Sequence, residues 1–92
     1  MEPLVQGLYA HGFILQGFDW RSWDEGRRHG RDLPWIARAD LETLCRLFTA
    51  HVRNDRFCEG HLAAMWYEGV IEAMVERLRE VGEETESGRD LA

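Results

Sequence analysis

Cys45, His51, Cys58 and His61 are side chains of the types that hold zinc or carry nucleophilic chemistry, and all four fall between positions 45 and 61 of this sequence. Zinc sites usually show two close ligand pairs, and only Cys58-x-x-His61 has that spacing; Cys45 belongs to an apolar stripe that should face the core. Packing and surface roles are therefore expected, with no metal and no cofactor. Cys58 stands near an expected helix start and beside Arg56, a setting that favours a thiolate. His61, one turn on, completes a conceivable Cys-His pair, but the spacing assigns no base. Ser22 and Ser87 have no triad-like surroundings, and the glycines form no phosphate loop. No catalytic residue is assigned.

Three charged sets remain. Arg53, Asp55, Arg56 and Glu59 surround an expected hinge; Asp55 can cap the following helix and Arg53 can bond the carbonyls ending the previous one, so the set is structural or ligand-binding. Arg27, Arg28 and Arg31 form a basic loop that can receive an anion or an acidic partner, or pair with the protein's own acidic helix. Glu72, Glu76, Glu80 and Glu83 recur at helical spacing, and a rise of 1.5 Å per residue puts successive carboxylates about 6 Å apart. That interval is comparable to phosphate spacing along a nucleic-acid strand. A solvated helix face is the default reading of this ridge.

The elements that must position these groups are helical. Pro3 suits a first turn, and Leu4, Val5, Leu8 and Tyr9 make a stripe that Gly12 ends with a left-handed cap, laying Phe13 against Leu8. Residues 13–18 are a short apolar run expected to be extended. Asp19 is placed as N-cap of a short helix over 20–25, with Trp20 and Trp23 on one face covering the core. Residues 26–34, with two glycines, a proline and three arginines, read as a surface loop. Asp40 caps a helix to about Arg53, with apolar positions 41, 44, 45, 48 and 52. Asn54 tolerates a left-handed conformation and so offers a stop signal, a helix over 56–68 follows, and Gly69 caps it. Val70, Ile71, Met74, Val75, Leu78 and Val81 mark a last helix that Gly82 is expected to stop.

Composition bounds the rest. A chain of 92 residues with 45% hydrophobic and 30% charged residues is one globular domain, able to bury roughly 60 to 65% of its unfolded surface. The expected layout is a helical domain over 1–82 and a flexible polar tail over 83–92. No apolar run approaches the roughly 18 residues of a membrane span. The first residues show no secretory pattern and two cysteines suit reduced thiols, so a cytoplasmic location is expected. Net charge is −6 with a pI near 5.1, every cation is Arg, and residues 47–92 hold ten acids against five arginines. That balance argues against broad binding of nucleic-acid phosphates.

The sequence Leu47-Phe-Thr-Ala-His-Val-Arg53, the motif Arg53-x-Asp55-Arg56-Phe57-Cys58-Glu59-Gly60, Glu68-Gly-Val-Ile71 and Glu76-Arg-Leu78 resemble an uncharacterised prokaryotic family of small proteins, the domain of unknown function numbered 6508. Leu8-Tyr9 with Gly12-Phe13, and Gly17-Phe-Asp-Trp20 with Trp23, are similar to that family's opening, so all but the tail is covered; residues 24–37 are not matched. The resemblance implies a small, mostly helical domain and brings no activity, cofactor or functional residue.

The expected fold is mainly α, a small orthogonal bundle of about five short helices. Its core is formed by the helices around 41–53, 56–68 and 70–81. The expected function is a non-catalytic protein-interaction module, regulatory in role, with a protein partner and a homodimer as a further option. An acidic nucleic-acid mimic that inhibits a DNA- or RNA-binding protein, in the manner of anti-defence proteins, is the alternative, with Glu72, Glu76, Glu80 and Glu83 as its face. A Cys58-based enzyme or redox protein is the second alternative.

Overall fold

The computed structural model describes the backbone of residues 2–91 and the side chains of residues 3–83. Among these residues the chain is helical with no strand, and runs α1 (Glu2–Ala10), a 3-10 turn (Trp20–Ser22), α2 (Asp24–His29), α3 (Leu33–Ile36), α4 (Leu41–Asn54), α5 (His61–Tyr67) and α6 (Val70–Leu91). α1 ends as its sequence dictates. Gly12 takes φ 76°, its N–H donates to Tyr9 O at 3.2 Å and Phe13 N–H donates to Leu8 O at 2.9 Å, which closes the helix with its last carbonyls satisfied. Residues 11–19 then cross α4 as irregular backbone. Buried Thr49 holds them there, accepting from Leu15 N at 2.9 Å while donating to Cys45 O at 2.7 Å.

The stretch expected as a loop over 26–34 is instead mostly helical. Asp24 and Glu25 occupy the first turn of α2 and Arg27, Arg28 and His29 its last, the arrangement that suits the helix dipole. Both arginines pair with Asp24 along the helix surface. Gly26 does not break this helix, because its missing side chain makes room for Trp23, whose ring atoms lie 2.2 Å from where a Cβ would stand. The single helix expected over 20–25 is divided at Trp23, which is extended at φ −79° and ψ 99°. Asp19 precedes the turn as expected, but its carboxylate accepts from Ser22 Oγ at 2.8 Å and not from a backbone amide. α3 is capped by Asp32, with Pro34 in its first turn.

α4, α5 and α6 form the core, as expected. Leu44, Leu47, Phe48 and Val52 of α4 meet Leu62 and Met65 of α5 and Val70, Ile71 and Met74 of α6, with Ile36, Leu8 and Ile14 closing the cluster. Each such buried side chain contributes about 1.5–3 kcal/mol. Asp40 caps α4 by accepting from Thr43 N at 2.8 Å, an interaction that also lowers its carboxyl pKa. Trp23 packs on the core beside Trp35, whereas Trp20 lies outside the cluster against Phe57, so only one of the two front tryptophans covers the core.

Two helix boundaries differ from expectation. α5 begins at His61 and not near 56, because Asn54 O accepts from Phe57 N and Cys58 N and the chain turns until Gly60, at φ 83°. No residue other than glycine has positive φ among those described, so Asn54 ends α4 in ordinary helical geometry. α6 continues through Gly82 to Leu91. A mid-helix glycine costs about 1 kcal/mol relative to alanine, and here Arg79 and Glu83 pair across it. Of the segment expected as a polar tail, 83–92, the side chains beyond Glu83 lie outside the described residues. None of the described helices is long and apolar enough to cross a membrane.

Candidate functional site

His51, three residues after Phe48 on α4, follows the buried stripe inward and is 7% exposed. Its Nε2 lies 2.9 Å from Gly30 O, and a carbonyl can only accept, so Nε2 carries the proton. In the neutral ring Nδ1 is then a lone pair. His61 Nε2–H, 2.9 Å away, donates to it, and Asn54 Nδ2 stands 3.3 Å from the remaining His61 nitrogen. Two directed bonds thus run from His61 through His51 to the Gly30 carbonyl, with Asn54 Nδ2 against the His61 ring, 3.3 and 3.4 Å from its two nitrogens. Gly30 is buried, and a Cβ there would crowd the Gly26 carbonyl of α2 itself, while His51 Nε2 of α4 would lie at an ordinary 3.6 Å.

Burial favours the neutral form of both rings. Burial pushes His51 from 6.5 down to about 4, with His61 and Arg31 acting in the same sense and the bond to Gly30 opposing. His61 is also lowered, by burial first and Arg31 second, against Asp55 and Glu68. A second proton on His51 Nδ1 would face the His61 N–H, which adds to the effect of burial.

The histidine pair forms part of the lining of a cavity of about 210 Å³ shared with Trp20, Gly26, Arg27, Gly30, Arg31, Ala50 and Asn54. A second cavity of about 460 Å³ adjoins it, lined by Trp20, Arg21, Arg27, Asn54 and Phe57. Here the Arg21 guanidinium lies 4.3 Å over the Phe57 ring and 5.3 Å from the Trp20 ring centroid, and the two rings are 6.2 Å apart. The resulting cleft offers cationic donors, an amide and aromatic surface over a neutral imidazole floor.

The residues singled out by sequence are dispersed. Arg27 and Arg28 pair with Asp24, while Arg31 pairs with Glu68 at the end of α5, which lowers the Glu68 carboxyl. Arg53 Nη2 donates to Leu15 O at 3.4 Å, and Asp55 Oδ1 accepts from Leu62 N at 3.0 Å, so Asp55 does cap the next helix, across the intervening turn. Arg56 and Glu59 are exposed. Glu72, Glu76 and Glu83 lie on the exposed side of α6, with Glu80 half-buried. Arg79 pairs with both Glu76 and Glu83, and Arg77 Nη1 lies 3.9 Å from Glu80. Cys58 is exposed and Cys45 half-buried, with burial raising the Cys45 thiol. No group of three or more potential metal ligands occurs among the described residues.

Trp20, Arg21 and Phe57 were not among the expected site residues, nor was the His51–His61 pairing. A phenylalanine inside the polar turn 53–60 was the available signal for Phe57, and the position of His51 on the stripe of Leu44 and Phe48 was the signal for its burial. A protein-family model described as a family of unknown function (DUF6508) matches residues 1–84. The comparisons with curated proteins and with solved structures give no match.

Proposed function

The chain belongs to this family of unknown function, and from that premise we propose that it is a non-catalytic, regulatory protein-interaction module that docks a partner through aromatic side chains of residues 57–67. One contrast carries the reading. In this segment Leu62 and Met65 are 7% and 1% exposed, whereas Phe57, Trp66 and Tyr67 are 64%, 61% and 92% exposed. Burying such a ring contributes about 1.5–3 kcal/mol, so the fold forgoes that contribution largely or in part at three places. Exposed tryptophan and tyrosine are the residue types that dominate binding energy when a partner covers them. Beside Trp66 a mainly apolar groove of about 450 Å³, lined also by Pro3, Leu4 and Ala63, suits an apolar side chain of the partner.

The acidic-mimic reading draws on the outward carboxylates of α6, but Arg79 already holds two of them. The reading of Cys58 as a nucleophile lacks a free base, since His61 is bonded to His51. Affinity capture from the host with three baits tests the proposal: the native chain, W66A/Y67A, and E72Q/E76Q/E80Q. The expected result is a partner held by the native and glutamine baits and lost from W66A/Y67A. A partner lost only from the glutamine bait would transfer the function to α6.

A further inference from the structure

The cleft at the Trp20–Ser22 turn shares Phe57 with the proposed docking surface but uses neither Trp66 nor Tyr67, and it supports a separate inference. In a chain of net charge −6, Arg21 has no carboxylate partner among the described residues. Its guanidinium is instead stacked on aromatic rings, 4.3 Å from the Phe57 centroid. A stacked guanidinium keeps its in-plane N–H groups free for an anion. Arg27, which lines both cavities, touches Asp24 through a single 3.4 Å contact between side chains 68% and 59% exposed. Such an exposed pair is weak and yields to a phosphate, which arginine can hold with two parallel bonds. Asn54 adds an amide, both donor and acceptor, where the two cavities adjoin. The larger cavity, about 460 Å³, falls within the roughly 300–1,000 Å³ of small-molecule sites.

An aromatic face, arginines with spare donors and one amide are the complement of a planar heterocycle that carries a phosphate. A long nucleic-acid strand suits the molecule less, since the acidic remainder repels a charged backbone. An acidic peptide would engage the arginines and leave Phe57 unused. We propose that this cleft binds a mononucleotide, with its base stacked on Phe57 beside Trp20 and its phosphate held by Arg21 and Arg27.

The test is a titration of the full chain with adenosine 5′-monophosphate, followed by tryptophan fluorescence and calorimetry. Inorganic phosphate and a glutamate-rich peptide serve as further arms. The expected result is saturable binding of the nucleotide, weakened about tenfold or more by Phe57→Ala, as loss of base–aromatic stacking does. Arg21→Ala should weaken it comparably, added salt should weaken it further, and inorganic phosphate should bind more weakly. Both side chains are exposed, and an unchanged urea midpoint checks that the variants fold. W66A/Y67A should bind the nucleotide as the native chain does, which separates this proposal from the docking reading. Absence of saturable binding, or unchanged affinity in folded Phe57→Ala, would overturn it. So would phosphate binding as tight as the nucleotide's, or a peptide that binds more tightly than the nucleotide.

Discussion

Along α6, Arg79 lies between Glu76 and Glu83 and pairs with both, and Arg77 reaches Glu80, so the two arginines of residues 70–83 are engaged by carboxylates three and four residues away on the same helix, against four glutamates. At the corner built from the Trp20–Ser22 turn, α2 and the 55–60 turn, Arg21 rests on aromatic rings, and beside them lie buried His51 and half-buried His61, both with lowered pKa. On α6 the arginines already have carboxylate partners, and what is left over is negative. A corner that holds cations over rings retains unused capacity for an anion, and that difference directs attention to the corner even though the chain as a whole is acidic.

The largest test of this contrast is acid. His51 takes its proton near 4 when folded and near 6.5 when unfolded, so between those values the unfolded chain binds more protons and stability rises with pH. The contribution is complete above about pH 6.5 and lost as the pH falls to about 4, amounting to about 3 kcal/mol. The carboxylates with lowered pKa, Asp40, Glu68 and Glu76, act at lower pH, below their ordinary values of 3.8 and 4.5. Urea unfolding between pH 7 and 4.5 should therefore show the histidine slope nearly alone. A flat profile, or a charged His51 at pH 6 by nitrogen-15 NMR, would contradict the neutral floor.

A smaller effect is expected at Asp55. Asp55→Ala removes the acceptor for Leu62 N and loosens the turn that presents Phe57, at about 1 kcal/mol. Urea midpoints measure it, and no change would mean that the turn is held by other contacts. The smallest effect belongs to α6. Arg79→Ala should leave the urea midpoint close to the native one, because its ion pairs are exposed and screened. A loss as large as that of Asp55→Ala would show that α6 depends on those pairs.

Several signals carried by one residue hold, although Asp19 caps no backbone amide and Asn54 stays right-handed. Gly12 and Gly69 take positive φ, Asp40 caps α4, and the stripes of α4 and α6 meet in the core. What escaped depends on contacts between distant residues. Gly26 reads as a helix breaker until the Trp23 ring is seen in its place, and Gly82 as a stop until Arg79 and Glu83 are seen to bridge it. His51 and His61 stood in the sequence as candidate ligands, but Gly30, twenty-one residues from His51, fixes the tautomer and makes the pair a structural floor. Arg21 had no periodic or motif signal. Its position over Phe57 arises from the irregular path of residues 11–19 and from the turn that follows α4.

Amide shift mapping with adenosine 5′-monophosphate tests most directly where the molecule's binding capacity lies. The account predicts that amides of Trp20, Arg21, Arg27, Asn54 and Phe57 move on titration while those of Glu72, Glu76, Glu80 and Glu83 stay in place. Shifts concentrated on α6, or none anywhere, would contradict it.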